Sequence, residues 1–195
     1  MIHHVHGSAF TFAGSLAAWT AMMAAMMVPT VSPWIGAYYR FAIARTDRLR
    51  SLYGATLFTS GYFVVWVAFG VVVTVAQHVL TVSDGAGRAL LVVAGLFQLS
   101  PLKQACLAHC RNPFSVLLAR WRNGPVSAVR LGGSHGLYCL GCCWALMLTM
   151  LAAGVLGWMW MAALAAITFA EQATEWGRWL TVPVGVGLLA AAAIV

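Results

Sequence analysis

The chain concentrates its chemistry in His135-Gly-Leu-Tyr-Cys139-Leu-Gly-Cys142-Cys143-Trp-Ala-Leu-Met147-Leu-Thr-Met150. On a helix, residues four apart share a face, so His135, Cys139, Cys143, Met147 and Met150 form one stripe. Cys142 sits about 100° to one side of it. A second cluster, Cys106-Leu-Ala-His109-Cys110, repeats the i, i+3, i+4 spacing, and the two clusters hold all five cysteines. Helical Cys and His at these spacings can each present two ligands to one ion, and antiparallel neighbours can close the site. Thiolate with thioether favours Cu(I), whereas thiolate with imidazole also suits zinc. The competing reading is that buried free cysteines are small hydrophobes. It suits any single cysteine better than five gathered in two clusters, each beside a histidine.

Other donors surround this core set. Met22, Met23, Met26 and Met27 form two doublets one turn apart, and they either pack or add thioether ligands. A free amino terminus with His3 in third position could wrap Cu(II) or Ni(II) in a square-planar nitrogen site. Met159 and Met161, then Met150 and Met147, could lead an ion down to the thiols, although packing is the favoured reading of these methionines. The alternative chemistry is a membrane thiol–disulfide oxidoreductase using Cys139, Cys142 and Cys143, its Cys-x-x-Cys pair acidified near a helix start. Heme is the weakest fit: His135 and Met147 are axial-ligand types, but there is no Cys-x-x-Cys-His attachment motif. No general base or nucleophile stands out, so metal handling is favoured over catalysis.

The housing for these residues is set by composition. Of 195 residues, 62% are hydrophobic and 8% charged, far outside the range of soluble domains. An all-α polytopic membrane protein of about six spans is expected. No basic leader with a convincing cleavage site precedes the first apolar run, so the first helix is expected to stay. The spans are placed at about 10–28, 52–75, 89–102, 137–153, 158–170 and 180–195, in one membrane domain. Pro29 and Pro33 are read as ending the first span. Pro101 is expected to kink the third, leaving 102–110 as a helical extension near the membrane surface. Residues 113–122 read as a short amphipathic helix in the interface. Gly132-Gly133-Ser134 leads into the fourth span, and Gly154 to Gly157 turns into the fifth. Gln98 is a polar residue expected to face other helices.

Orientation follows from charge. Arg40, Arg45, Arg48, Arg50, Lys103, Arg111, Arg120, Arg122, Arg130 and Arg178 fall on one side and only Arg88 on the other, ten of the eleven bases. That partition predicts a membrane with those loops on the cytoplasmic side and both termini outside. The net charge of +7 is then a matter of lipid headgroups, and no nucleic-acid partner is needed. The expected partners are the bilayer, a metal ion and a metalloprotein or membrane complex. Both cysteine clusters and the first-span methionines converge toward the cytoplasmic level.

Three segments carry a family resemblance: Trp19-Thr-Ala-Met22-Met-Ala-Ala-Met26-Met27-Val-Pro29, Pro101-Leu-Lys103-Gln-Ala-Cys106-Leu-Ala-His109-Cys110-Arg111-Asn-Pro113, and Gly136-Leu-Tyr138-Cys139-Leu-Gly141-Cys142-Cys143-Trp144-Ala-Leu-Met147. With Gly154-Val-Leu-Gly157-Trp158-Met-Trp160-Met161, they resemble the prokaryotic family of predicted metal-binding integral membrane proteins, a domain-of-unknown-function family. Gly157 stands where the family has asparagine, and Gln172 where lysine is common. The resemblance implies metal binding and names neither metal nor reaction.

Overall fold

The computed structural model describes residues 11–79, 84–153, 158–174 and 176–194; His3 and the turn expected at 154–157 lie outside them. Eight helices and no strand occur among the described residues: α1 (Phe12–Ile43), α2 (Arg48–Val79), α3 (Asp84–Gln98), α4 (Pro101–Arg111), α5 (Pro113–Arg120), α6 (Pro125–Ala153), α7 (Trp158–Ala173) and α8 (Gly177–Ile194). The all-α expectation holds. Helices α1, α2, α6 and α8 are long and apolar enough to cross a membrane, and α3 with α4, bent by 63°, would make a fifth span. Helix α7 has 16 residues, short of the roughly 20 that a crossing takes. Length and apolarity thus support four or five spans where the sequence suggested six.

Apolar side chains cover the outside. Val64, Val72, Leu96, Leu137 and Val186 are exposed, while Lys103, Gln98 and Glu171 are buried. That inversion suits a lipid surround, in which polar groups turn inward to find partners. Helix α6 is the centre of the bundle, packed on α2, α3, α4 and α7.

Glycine sets the tightest crossing. A methyl group on Gly132 of α6 would lie 1.9 Å from the Phe58 carbonyl oxygen of α2, and one on Gly61 of α2 would lie 2.2 Å from the Val129 oxygen of α6. Lipid tails are as apolar as leucine, so helices in a bilayer hold together through such close packing and not through hydrophobic drive.

The helices are longer than the spans drawn from sequence, for local reasons. Helix α1 continues through Pro29 and Pro33 to Ile43 instead of ending at Val28. Pro33 cannot donate to the carbonyl of Pro29, but the Ser32 hydroxyl does so instead, at 2.8 Å. Helix α6 begins at Pro125 and not at Leu137, so Gly132-Gly133-Ser134 is part of the α2 crossing and not a lead-in. At Pro101 the chain breaks and restarts: Ser100 caps α4 through its side chain, which accepts from the Lys103 amide at 3.3 Å. The short helix after Pro113 is present as α5, with Leu117 buried and Phe114 and Leu118 exposed.

Candidate metal centre

Because α6 is continuous, its i, i+3, i+4 pattern turns inward as one face. His135, Cys139, Cys142, Cys143, Met147 and Met150 are all buried. The sulfurs of Cys139, Cys142 and Cys143 lie within 4.8 Å of one another. Three sulfurs bound to one ion at about 2.3 Å in a plane stand roughly 4 Å apart, so small rotamer changes would close the site. In the thiol form, Cys142 and Cys143 each donate to the Cys139 carbonyl, at 3.0 and 2.9 Å.

Four other helices complete the surroundings. From α1, the Met27 sulfur is 4.0 Å from the Cys139 sulfur. From α2, the Tyr62 hydroxyl is 3.2 Å from it. From α7, the Gln172 side-chain oxygen is 3.5 Å away, and the amide nitrogen of that residue has no hydrogen-bond partner among the described residues. From α4, the buried Cys110 comes near enough to Cys142 for the two thiols to interact. Cys106 lies beside them, its sulfur 3.1 Å from where a methyl group on Gly141 would sit. None of the five cysteines is in a disulfide. A soft donor set of three clustered thiols, with further thiols and a thioether at its edge, fits Cu(I) as cargo.

The expected residues therefore separate into groups. Cys139, Cys142 and Cys143 come together, with Cys110, Cys106 and Met27 at their margin. His135 and His109 do not join the thiols. The His135 ring stacks on Trp34 at 3.8 Å between centroids, and His109 stacks on Tyr138 at 3.7 Å. Met22, Met23 and Met26 are buried in the same core as Met27. Met147 and Met150 lie farther along α6, beyond the cysteines.

Three expectations change with this geometry. Cys139 is fourteen residues inside α6, which starts at Pro125, so a helix-terminal dipole cannot acidify it; that effect fades within one turn. His135 and Met147 are twelve residues apart on the same continuous helix, roughly 18 Å along its axis, and cannot flank one heme iron. Met159 is 70% exposed and so faces away from any interior path.

Beside the thiols lies a polar network. The Lys103 ammonium is 2.7 Å from a Glu171 carboxylate oxygen, with both side chains at most 1% exposed. Gln98 bridges the two, accepting from Lys103 and donating to Glu171. Arg111 donates through Nε to the Glu171 carbonyl at 2.8 Å. Lys103 is thus an interior residue and leaves the count of surface bases, while Gln98 faces other helices as expected. The network ties α3, α4 and α7 together and fixes Glu171 one residue from Gln172. Of the residues meeting Cys139, Tyr62 and Gln172 were missed from sequence. Tyr62 lay unmarked in an aromatic-rich run, and Gln172 was visible only as a departure from the family pattern.

Comparison with known proteins agrees with this donor set. No curated protein and no solved structure matches the chain. Residues 16–195 match the family model PpoB2, described as a copper chaperone. With nearly the whole length matched and a three-cysteine cluster at its centre, the chain belongs to the PpoB2 copper chaperone family.

Proposed function

We propose that this protein is a membrane-embedded chaperone that takes up Cu(I) on Cys139, Cys142 and Cys143 and hands it to a metalloprotein or membrane complex. The observation that carries the reading is the three thiol sulfurs within 4.8 Å of one another on one buried helical face. Met27, Cys106 and Cys110 serve as auxiliary donors as the ion arrives or leaves. Ligand deprotonation puts negative charge in an apolar interior, and Cu(I) offsets part of it. Arg111, close enough to Cys110 and Cys142 to interact with both, offsets more.

The proposed setting is a prokaryotic cytoplasmic membrane with both termini outside. With Lys103 removed from the ten bases on the inner side, nine arginines still oppose Arg88 alone. Both termini outside needs an even number of crossings, so this setting assigns the sixth to α7 despite its 16 residues. Thiol–disulfide exchange fits less well, because Cys139, Cys142 and Cys143 are all buried and an attacking partner thiol has no access.

The test is copper content after anaerobic purification in detergent. Near-stoichiometric copper with reduced thiols is expected, falling to background in Cys139→Ser/Cys142→Ser. Metal-free protein whose thiols cycle between dithiol and disulfide would replace this reading with the oxidoreductase.

A further inference from the structure

His135 is a polar member of the central stripe for which the thiol site leaves no role. It is buried, and neither ring nitrogen has a hydrogen-bond partner among the described residues. Leaving a buried polar group unpartnered is costly, and His135 has two such atoms. Its surroundings are aromatic: Trp34 at 3.8 Å, Tyr62 at 5.5 Å and Phe58 at 6.2 Å between ring centroids. A neutral imidazole walled by aromatic faces suits a monovalent cation in transit, because the ring faces attract positive charge and add none of their own.

Its position is as telling as its chemistry. His135 precedes Cys139 by one helical turn, about 5–6 Å between Cβ atoms, toward the Pro125 end of α6. Tyr62 touches both stations, its hydroxyl 3.2 Å from the Cys139 sulfur and its ring 5.5 Å from His135. Trp34 stacks on His135 and donates to the Cys110 carbonyl at 2.7 Å. Beside His135 is His109 of α4, 6.4 Å away between ring centroids and only partly buried. Two imidazoles sharing one ion end to end have centroids roughly 6 Å apart, given metal–nitrogen bonds of about 2.0 Å. Ser134, the chain neighbour of His135, lines an open cavity of about 470 Å³ together with Arg120, Arg122 and Arg130.

We infer that His135 and His109 form a second, weaker Cu(I) station through which copper passes between the buried thiols and the arginine-bearing face. The inference rests on the copper reading above and gives it a direction. Two Cu–S bonds are exchanged in turn for two Cu–N bonds, the third sulfur leaves as copper goes from three- to two-coordinate, and copper stays Cu(I). Each thiolate left behind takes up a proton from the water at the arginine face, replacing the charge that leaves. The aromatic walls keep anionic ligands out, so the station holds copper less tightly than the thiolates do and passes it on.

The test uses full-length protein reconstituted in vesicles of determined orientation and loaded with Cu(I). A membrane-impermeant Cu(I) chelator is presented on one face at a time. Release to the arginine face should exceed release to the opposite face by about ten-fold, a barrier difference near 1.4 kcal/mol. His135→Leu and His109→Gln should retain the copper–thiolate absorption and copper content of the wild type while releasing copper about ten-fold more slowly to that face. His109 is partly exposed, so its variant decides the matter should His135→Leu fail to fold. Unchanged release rates in the variants, or equal release on both faces, would overturn the station. Loss of the thiolate absorption in the histidine variants would also overturn it, by making these histidines ligands of the thiol site. Wild-type protein that binds no copper would instead sink the copper reading itself.

Discussion

Replacing Lys103 by methionine would strand the Glu171 carboxylate inside the bundle. The two side chains are 0% and 1% exposed and 2.7 Å apart. Breaking a buried pair by removing one partner costs about 3–5 kcal/mol, because the remaining charge has neither water nor counterion. Gln98 still donates to Glu171, and a charge-assisted bond of that kind is worth about 1.5–3 kcal/mol, which places Lys103→Met near 3 kcal/mol, the lower end. Glu171→Gln should cost a similar amount by isolating the ammonium. The double variant Lys103→Met/Glu171→Gln removes both charges and leaves two facing amides, so it should lose less than either single change. Thermal unfolding in detergent with a fluorogenic maleimide suits this case. Cys110, Cys139, Cys142 and Cys143 are buried and Cys106 is partly so, and thiol reactivity therefore reports loss of packing at the site itself. Lys103→Met should shift the transition down by roughly 6–12 °C, at about 2–4 °C per kcal/mol for a chain of this size. A single variant within about 0.5 kcal/mol of the wild type, or strictly additive single changes, would refute a stabilising ion pair in a dry interior.

Other consequences can be checked by the same or simpler means. Gly132→Ala places a methyl 1.9 Å from the Phe58 carbonyl oxygen; it should cost at least about 1–3 kcal/mol or prevent folding, read as loss of monodisperse protein in detergent. Ser100→Ala removes the cap that starts α4 and should cost about 1 kcal/mol in the same melting assay. Topology reporters should place Arg45 and Arg120 inside and Asp84 outside, and a cytoplasmic signal at Asp84 would reverse the proposed orientation.

The reach of sequence reasoning differs between helix faces and helix ends. The inward stripe on α6 was legible, because a 3.6-residue period fixes which side chains share a face before any partner is known. Gln98 was legible for the same kind of reason: a polar side chain in an apolar run must find a partner inside. The ends of α1 and α6 were not legible. Proline and glycine are helix breakers in water, but in a bundle the freed carbonyl of Pro29 is recovered by Ser32, and Gly132 stays helical because α2 packs directly on it. Lys103 was misassigned to the surface because its partner, Glu171, is 68 residues away in the chain. Tyr62 and Gln172 belong to the same class. Each reaches Cys139 from a different helix, and only the packing angles of α2 and α7 on α6 bring them there.

The most direct measurement is X-ray absorption on the copper-loaded protein, kept reduced and in detergent. The account predicts Cu(I) with two or three sulfur neighbours at roughly the 2.3 Å of metal–thiolate bonds, and a drop in sulfur coordination in Cys139→Ser. A first shell made only of nitrogen and oxygen, unchanged in Cys139→Ser, would contradict it.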